Sequence, residues 1–447
     1  MINLITANKY CESVFDGTHD SPKANESGFP LITSKNILNG VLNLNDTYLI
    51  SEKDYLTIQN RSSVKKWDII FSIIGSVGEV YLEKNNEIPY AIKNVGVFST
   101  NDEFKAKWLY YYLKSPYAKI FIKNSLAGAV QKFLSLGKLR DFPIFQYDRS
   151  KDDTINFLSA LDDKIDLNNQ INTELEAMAK TLYDYWFVQF DFPDENGKPY
   201  KSSGGKMVFN ETLKREIPVG WEVTVFNDWI SKTKTGDWGK EAVEGNYTEH
   251  VYCVRGADIN GLNGKGEVKA PERFILKNNL VKSLKPNDFV VEISGGSPTQ
   301  STGRIALLTE ASLKRFDSNV ICSNFCKALS LKDDEYVFNF LQEWQRLYDA
   351  GVFFGYEGKT SGIKNFLFDS FMTSYDIVKP PKNLVEKFYK QVETLENKKQ
   401  INLQQNQELA QLRDWLLPML MNGQVRVGSG EYEREEESLG MVGEGKY

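Results

Sequence analysis

"LNNQINTELEAM", Leu167 to Met178, and "INLQQNQELAQL", Ile401 to Leu412, write one uncommon helix twice. At a shift of about 234 residues Asn168 falls on Asn402, Gln170 on Gln404, Asn172 on Asn406, Glu174 on Glu408 and Leu175 on Leu409. Around the first copy, Leu158, Leu161, Ile165, Asn168, Asn172, Leu175, Ala179, Leu182 and Trp186 step alternately by three and four. Phe388, Val392, Leu395, Lys399, Asn402, Asn406, Leu409, Arg413, Leu416 and Leu420 do the same around the second. That spacing is a coiled-coil seam. The turn residues of "DFPDENGKP" mark the end of the first helix, and Pro418 lies near the end of the second.

One stripe of this kind is ordinarily a helix packed on its own domain. Two matching stripes, each following a globule, most simply pair with each other, antiparallel, and give the molecule an approximate two-fold axis. The seam asparagines fall at equivalent positions, where they weaken the pairing but fix its register.

The segments before the helices recur too. "KKWDIIFSIIGSVGEVYL" (65–82) is echoed by "KPNDFVVEISGGSPTQSTGRIALL" (285–308): an aspartate, an apolar run, a glycine turn and a second apolar run. "NVGVFSTNDEFKAKWLYYYL" (94–113) pairs with "NFCKALSLKDDEYVFNFLQEW" (324–344), a strand, an acidic turn and an aromatic-rich helix. "AVQKFLSLGKLRDFPI" (129–144) answers "GIKNFLFDSFMTSYDIVKPP" (362–381), with Val130, Phe133 and Ile144 opposite Ile363, Phe366 and Ile377. The expected fold class is α+β: two globules of mixed short strands and helices, separated by two long helices in an antiparallel coiled coil.

Bulk properties agree with that division. A chain of 447 residues exceeds one compact core, and its 41% hydrophobic and 26% charged residues read as soluble and globular. No apolar run approaches the roughly 18 residues of a membrane span, and "MINLITANKY" lacks a signal-peptide layout. Cys11, Cys253, Cys322 and Cys326 are too few for a disulfide framework, which suggests a cytoplasmic location. The net charge of −6 argues against strong nucleic-acid binding by the chain alone. Much of that excess sits in the tail after Gly428, with six Glu against Arg434 and Lys446, whereas residues 1–150 hold 18 Lys and Arg against 15 Asp and Glu.

The order globule, helix, globule, helix resembles the specificity (S) subunits of type I restriction–modification systems. "GKPYKSSGGKMVFNETLKREIPVGWEV", "LSALDDKIDLNNQINTELEAMAKTLYDYWF" and "ELAQLRDWLLPMLMNGQV" carry the likeness, and "FDGTHDSP" (15–22) looks like the opening of a first target-recognition domain. The resemblance implies a non-catalytic reader, with each globule reading one half of a bipartite DNA site. It also implies that the coiled coil sets the gap and docks two methyltransferase (M) subunits. Those would carry S-adenosylmethionine and methylate adenine, and restriction (R) subunits would add ATP- and Mg-dependent translocation and cleavage; no cofactor is expected in this chain. Roughly 34 residues of helix span about 50 Å, on the order of 15 base pairs of B-DNA. The expected boundaries are 1–150 for the first recognition domain, 151–190 for the central helix and 191–380 for linker and second domain. The C-terminal helix follows at 381–424, then a disordered acidic tail at 425–447. One departure from the family pattern is that no counterpart of the "IPVGWEV" strand precedes the first globule.

The residues for independent chemistry are missing. "KPPK" (379–382) is the only Pro-Pro and lacks the partners of a methyltransferase motif; "GGSPTQSTGR" (295–304) lacks the ending of a phosphate loop and reads as a hairpin turn. Cys322 and Cys326 fall short of a four-ligand zinc site and read as packed thiols. Loops bearing Gly, Ser, Lys and Gln can reach backbone and base edges. The candidate DNA contacts are Thr18, His19, Lys35, Gly128, Gln131 and Lys132 in the first globule. Lys234, Trp238, Arg255, Gln300, Lys359 and Lys364 occupy roughly comparable places in the second. Trp186, Phe187, Trp415 and Leu416 either meet M subunits or pack in cores. Two other readings are a coiled-coil scaffold unrelated to DNA and the recognition part of another type of restriction enzyme.

Overall fold

The structure, a computed structural model, describes residues 3–45, 47–126, 132–295, 297, 299–360 and 363–428, with the backbone only at 359 and 360. It divides into two units, each discontinuous in sequence: Met1–Lys164 with Leu409–Tyr447, and Ile165–Glu408. Each unit therefore holds one globule and a stretch of both long helices, which run over Asp152–Tyr183 and Lys382–Met421. Asp152 and Asp153 open the first helix, where carboxylates suit the positive end of the helix dipole.

In the first unit a four-stranded antiparallel sheet has the order Ser13–Asp16, Val95–Ser99, Ile69–Ser72, Val80–Leu82. Phe29–Ile32 pairs antiparallel with Leu49–Ile50 and parallel with Ala91–Ile92, and so begins a second sheet. The helix Glu103–Lys114 starts where the Asp102 side chain accepts from the Lys105 amide at 2.8 Å. It drives Trp108 and Tyr112 into a core with Phe71, Phe98 and Phe142. Leu158 from one long helix and Leu417, Leu420 and Met421 from the other join that core. Nearby, Arg413 reaches Asp162 at 2.5 Å.

The second unit repeats this wiring. Its four-stranded sheet runs Ile230–Thr235, Cys326–Leu331, Asp288–Glu292, Ile305–Leu308, and Tyr247–Val254 pairs antiparallel with Glu272–Leu276 and parallel with Asn319–Cys322. The helix Val337–Asp349 places Trp344 in the core beside Phe226, Phe353 and Phe371. Trp186, Phe187 and Phe388 from the long helices complete it, so Trp186 and Phe187 are core residues. Trp415, in the first unit, is 67% exposed, and Leu416 is partly buried against that unit's core.

Inside the second unit the paired helices show how the asparagines are used. Asn168 donates to Asn406 at 2.8 Å and Asn402 donates to Asn172 at 2.8 Å, the exchange that a two-fold axis requires. Lys399, also on the seam, lies between Glu396 at 2.9 Å and Glu176 at 3.4 Å. Partners rise on one helix as they fall on the other, which is antiparallel pairing. Asn168, Asn172, Ala179, Val392 and Asn402 are buried; Ile165, Leu175, Leu182, Leu395 and Asn406 are partly so. Across the first unit's stretch Leu158 is buried and Leu161, Leu409 and Leu416 are partly buried.

Two expectations need correction. The first globule does have the edge strand thought missing: Leu4–Thr6 pairs with Pro143–Phe145, as Glu222–Val225 pairs with Asp376–Lys379. At three residues it was too short to read as a strand. The matching of Phe133 with Phe366 is off by one. Leu134 donates its amide to Ile73 at 2.9 Å and Phe366 to Ile293 at 2.9 Å, so Leu134 is the buried counterpart. Phe133 is 41% exposed, because a one-residue slip along a strand exchanges its faces. Val130 lies outside the described residues.

Candidate nucleic-acid interface

In both units the two sheets meet where a glycine lets one strand end cross another. A Cβ on Gly236 would lie 1.9 Å from the Ser323 carbonyl oxygen, and one on Gly17 would lie 2.6 Å from that of Ile92. Only glycine permits these approaches. The next amides close the crossing: Asp237 donates to Cys322 at 2.9 Å and Thr18 to Ile92 at 3.1 Å. Trp238 and His19 therefore hold equivalent positions, both exposed.

In the second unit the loops after these strands surround a cavity of about 1330 Å³, lined by Trp238, Arg255, Gly256, Ala257, Glu292, Ser294, Gly295, Ser297, Arg304, Ser323, Asn324, Phe325, Glu357, Ile363 and Lys364. Its floor is an ion pair: Arg304 donates to buried Glu292 through Nε at 2.9 Å and Nη2 at 2.7 Å. Gly256 and Gly295 make room for it, since a Cβ on either would stand 2.6 or 2.8 Å from Glu292 Oε1. The hydrogen bond from Arg304 to Glu292 holds the guanidinium above its ordinary pKa. On one wall the Arg273 guanidinium lies 4.5 Å from the Trp238 ring centre, fixing a ring that stays 40% exposed.

The first unit sets different chemistry on the same frame. Strand register places Ser72 where Glu292 stands, and Glu79 where Arg304 stands. Ser72 Oγ accepts from the Glu79 amide at 2.8 Å. His19 lies between Asp16 at 3.0 Å and Asn94 at 2.9 Å, and its side chain is 60% exposed. Lys93 donates to Ser21 at 2.5 Å.

The nominated contacts separate on this geometry. His19, Lys35 and Lys132 are exposed in the first unit; Gly128 and Gln131 lie outside the described residues. Thr18 is 3% exposed, so its side chain is a turn former and not an open donor; it bonds Asp20. Lys234 is corrected likewise. Its ammonium is buried against Asp288 at 2.7 Å and the Ser283 carbonyl at 3.0 Å, so its charge is neutralised inside the fold.

Trp238, Arg255 and Lys364 line the cavity, and Gln300 borders it through its carbonyl, 3.5 Å from Lys364 Nζ. Arg255 is held by buried Asp258 at 2.9 Å and Lys364 by Glu357 at 2.9 Å. The Arg255–Asp258 turn matches Thr33–Asn36, so Lys35 corresponds to Ala257 rather than to Arg255. The Lys359 backbone pairs with Lys364 in a hairpin. Sequence reading missed Asn324 and Phe325, which form the turn "SNFC" where the first unit has the shorter "KNV". Burial pushes the Cys253 and Cys322 thiols up to about 12, as expected of packed, unreactive sulfur.

A repeated α+β unit with a loop-built surface at its sheet junction, borne on a paired helix, is the class of protein these observations define. Residues 16–177 match the family described as "Type I restriction modification DNA specificity domain". The chain is similar to the type I restriction enzyme MjaIX specificity subunit of Methanocaldococcus jannaschii, at 24% identity over 367 residues and 78% of each chain. It is also similar to the HindI specificity subunit of Haemophilus influenzae, at 23% identity over 435 residues, 86% of this chain and 92% of that one. A solved type I S subunit from M. genitalium aligns over 94% of this chain and 96% of its own, with TM-score 0.49 and 16% identity. The resemblance to type I specificity subunits read from the sequence holds. No described helix is long and apolar enough to cross a membrane.

Proposed function

We propose that this chain is the DNA sequence-specificity subunit of a type I restriction–modification complex, with each unit reading one half of a bipartite, asymmetric site. The observation that carries this is one frame furnished with two chemistries. His19 answers Trp238, Ser72 answers Glu292, and Glu79 answers Arg304, on strands wired identically. One frame explains a shared docking geometry, and unlike side chains explain unlike half-sites. In this reading the paired helices set the spacing and dock two methyltransferase subunits, which supply S-adenosylmethionine chemistry. Restriction subunits supply the ATP- and Mg-dependent steps, and the chain itself catalyses nothing. The outward Trp415 supports a helix end that receives a partner.

The test is reconstitution. The purified chain should neither methylate nor cut duplex DNA, and adding the cognate methyltransferase subunits should give adenine methylation at a two-part sequence. Methylation by the chain alone, or methylation without sequence preference in the complex, would refute the reading.

A further inference from the structure

At the mouth of the second unit's cavity, the chain passes from strand Asn319–Cys322 of one sheet to strand Cys326–Leu331 of the other through Ser323, Asn324 and Phe325. The turn backbone is tied down on three sides. Ser323 donates to the Val254 carbonyl at 2.8 Å, and Cys326 donates to Ser323 at 2.9 Å. The Phe325 carbonyl accepts from the Ile293 and Ser294 amides at 2.9 and 3.2 Å. On this fixed turn the side chains are left open. Asn324 is exposed and its carboxamide makes no hydrogen bond among the described residues. Phe325, a large apolar ring, is 56% exposed.

The matching turn of the first unit is one residue shorter and differs in kind. Lys93 donates its amide to Ile32 as Ser323 does to Val254, and Val95 and Cys326 pair with Ser72 and Glu292. There the Asn94 amide is engaged by His19 and the Lys93 ammonium by Ser21. An ordered backbone, an amide unused among the described residues and an exposed ring together form a preorganised reader, since little further ordering is needed to bind.

We infer that Asn324 and Phe325 are the specificity-determining residues of the second unit. Asn324 makes a bidentate contact with an adenine edge in the major groove, and Phe325 packs on a neighbouring thymine methyl. A carboxamide offers one donor and one acceptor at the spacing of adenine N6 and N7, and an apolar ring favours the methyl group that only thymine presents there. This rests on the DNA-reading function proposed above and assigns it to two side chains.

The experiment expresses the full chain, with its cognate methyltransferase subunits, as the unaltered protein and as Asn324→Asp, Asn324→Ala and Phe325→Ala. Modified-base sequencing then reads the methylated motif, and thermal unfolding of each purified complex controls for folding. Asn324→Ala should relax one adenine position within one half-site, by about tenfold to a hundredfold in relative methylation. Asn324→Asp, nearly the same shape but only an acceptor, should shift that position toward cytosine, whose amino group donates. Phe325→Ala should relax a neighbouring thymine, and the other half-site should stay unchanged in all three. An unchanged motif, or uniform loss of methylation at an unaltered melting temperature, overturns the assignment while leaving the bipartite reading intact; relaxation in both halves overturns the assignment and the reading of one half by each unit. An unaltered complex that methylates no bipartite motif overturns both.

Discussion

Two buried aspartates at equivalent strand starts show how one side chain can tie a unit to pH. Asp68 and Asp288 each accept a backbone amide at 2.8 Å, from Lys65 and Lys285. Asp288 also meets Lys234, whereas Phe15 takes the place of that lysine beside Asp68. Burial raises the Asp68 pKa above its ordinary 3.8. A raised value means the folded state holds this proton more tightly, so the group's stabilising contribution is fully present below pH 3.8 and fades as pH rises through the folded value. Asp68→Asn keeps the acceptor and removes the charge. Its melting temperature should exceed that of the unaltered chain by a margin that widens from acid to neutral pH, and parallel curves would refute this. Lys234→Met should cost about 3–5 kcal/mol in unfolding free energy, because it strands the Asp288 carboxylate. A loss of DNA binding without that destabilisation would instead make Lys234 a phosphate contact.

At the scale of the element, the helix pair depends on polar groups where a coiled coil usually has leucine. The Asn172–Asn402 and Asn168–Asn406 bonds are worth little net, because water would satisfy the same amides, but a lone survivor is costly. Asn402→Ala alone should therefore destabilise by about 1–3 kcal/mol, and Leu at both 172 and 402 should restore most of that. Chemical denaturation compares the two variants; a double variant no more stable than Asn402→Ala would show that the cost does not come from a stranded amide. The stripe itself was legible in the sequence because a three-and-four spacing admits one reading. Which asparagine faces which was not, since a repeat aligns 168 with 402 whereas antiparallel packing joins 168 with 406.

For the whole molecule, the proposed bipartite reading ties the duplication to function. Two frames with separate cores and separate loop sets should read independently. Replacing residues 1–150 with the corresponding globule of another specificity subunit should change one half of the methylated sequence and leave the other as it was. A change in both halves would show that the units read as one. The repeated order of strands could be inferred from the echoes at 65–82 and 285–308. The three-residue strand Leu4–Thr6 could not, because so short a run carries no period.

The sequence alone determined the duplication, the α+β character of each globule and the seam of the helices, because periodicity and repetition are properties of order along the chain. Burial and proximity are not, and only the tertiary structure decided those. Folding hid Lys234 and Thr18, which looked like surface donors, and it paired Arg255 with Asp258 and Lys364 with Glu357. It also put the unremarked Asn324 and Phe325 at the mouth of a cavity, because that turn joins two sheets whose meeting no local pattern records.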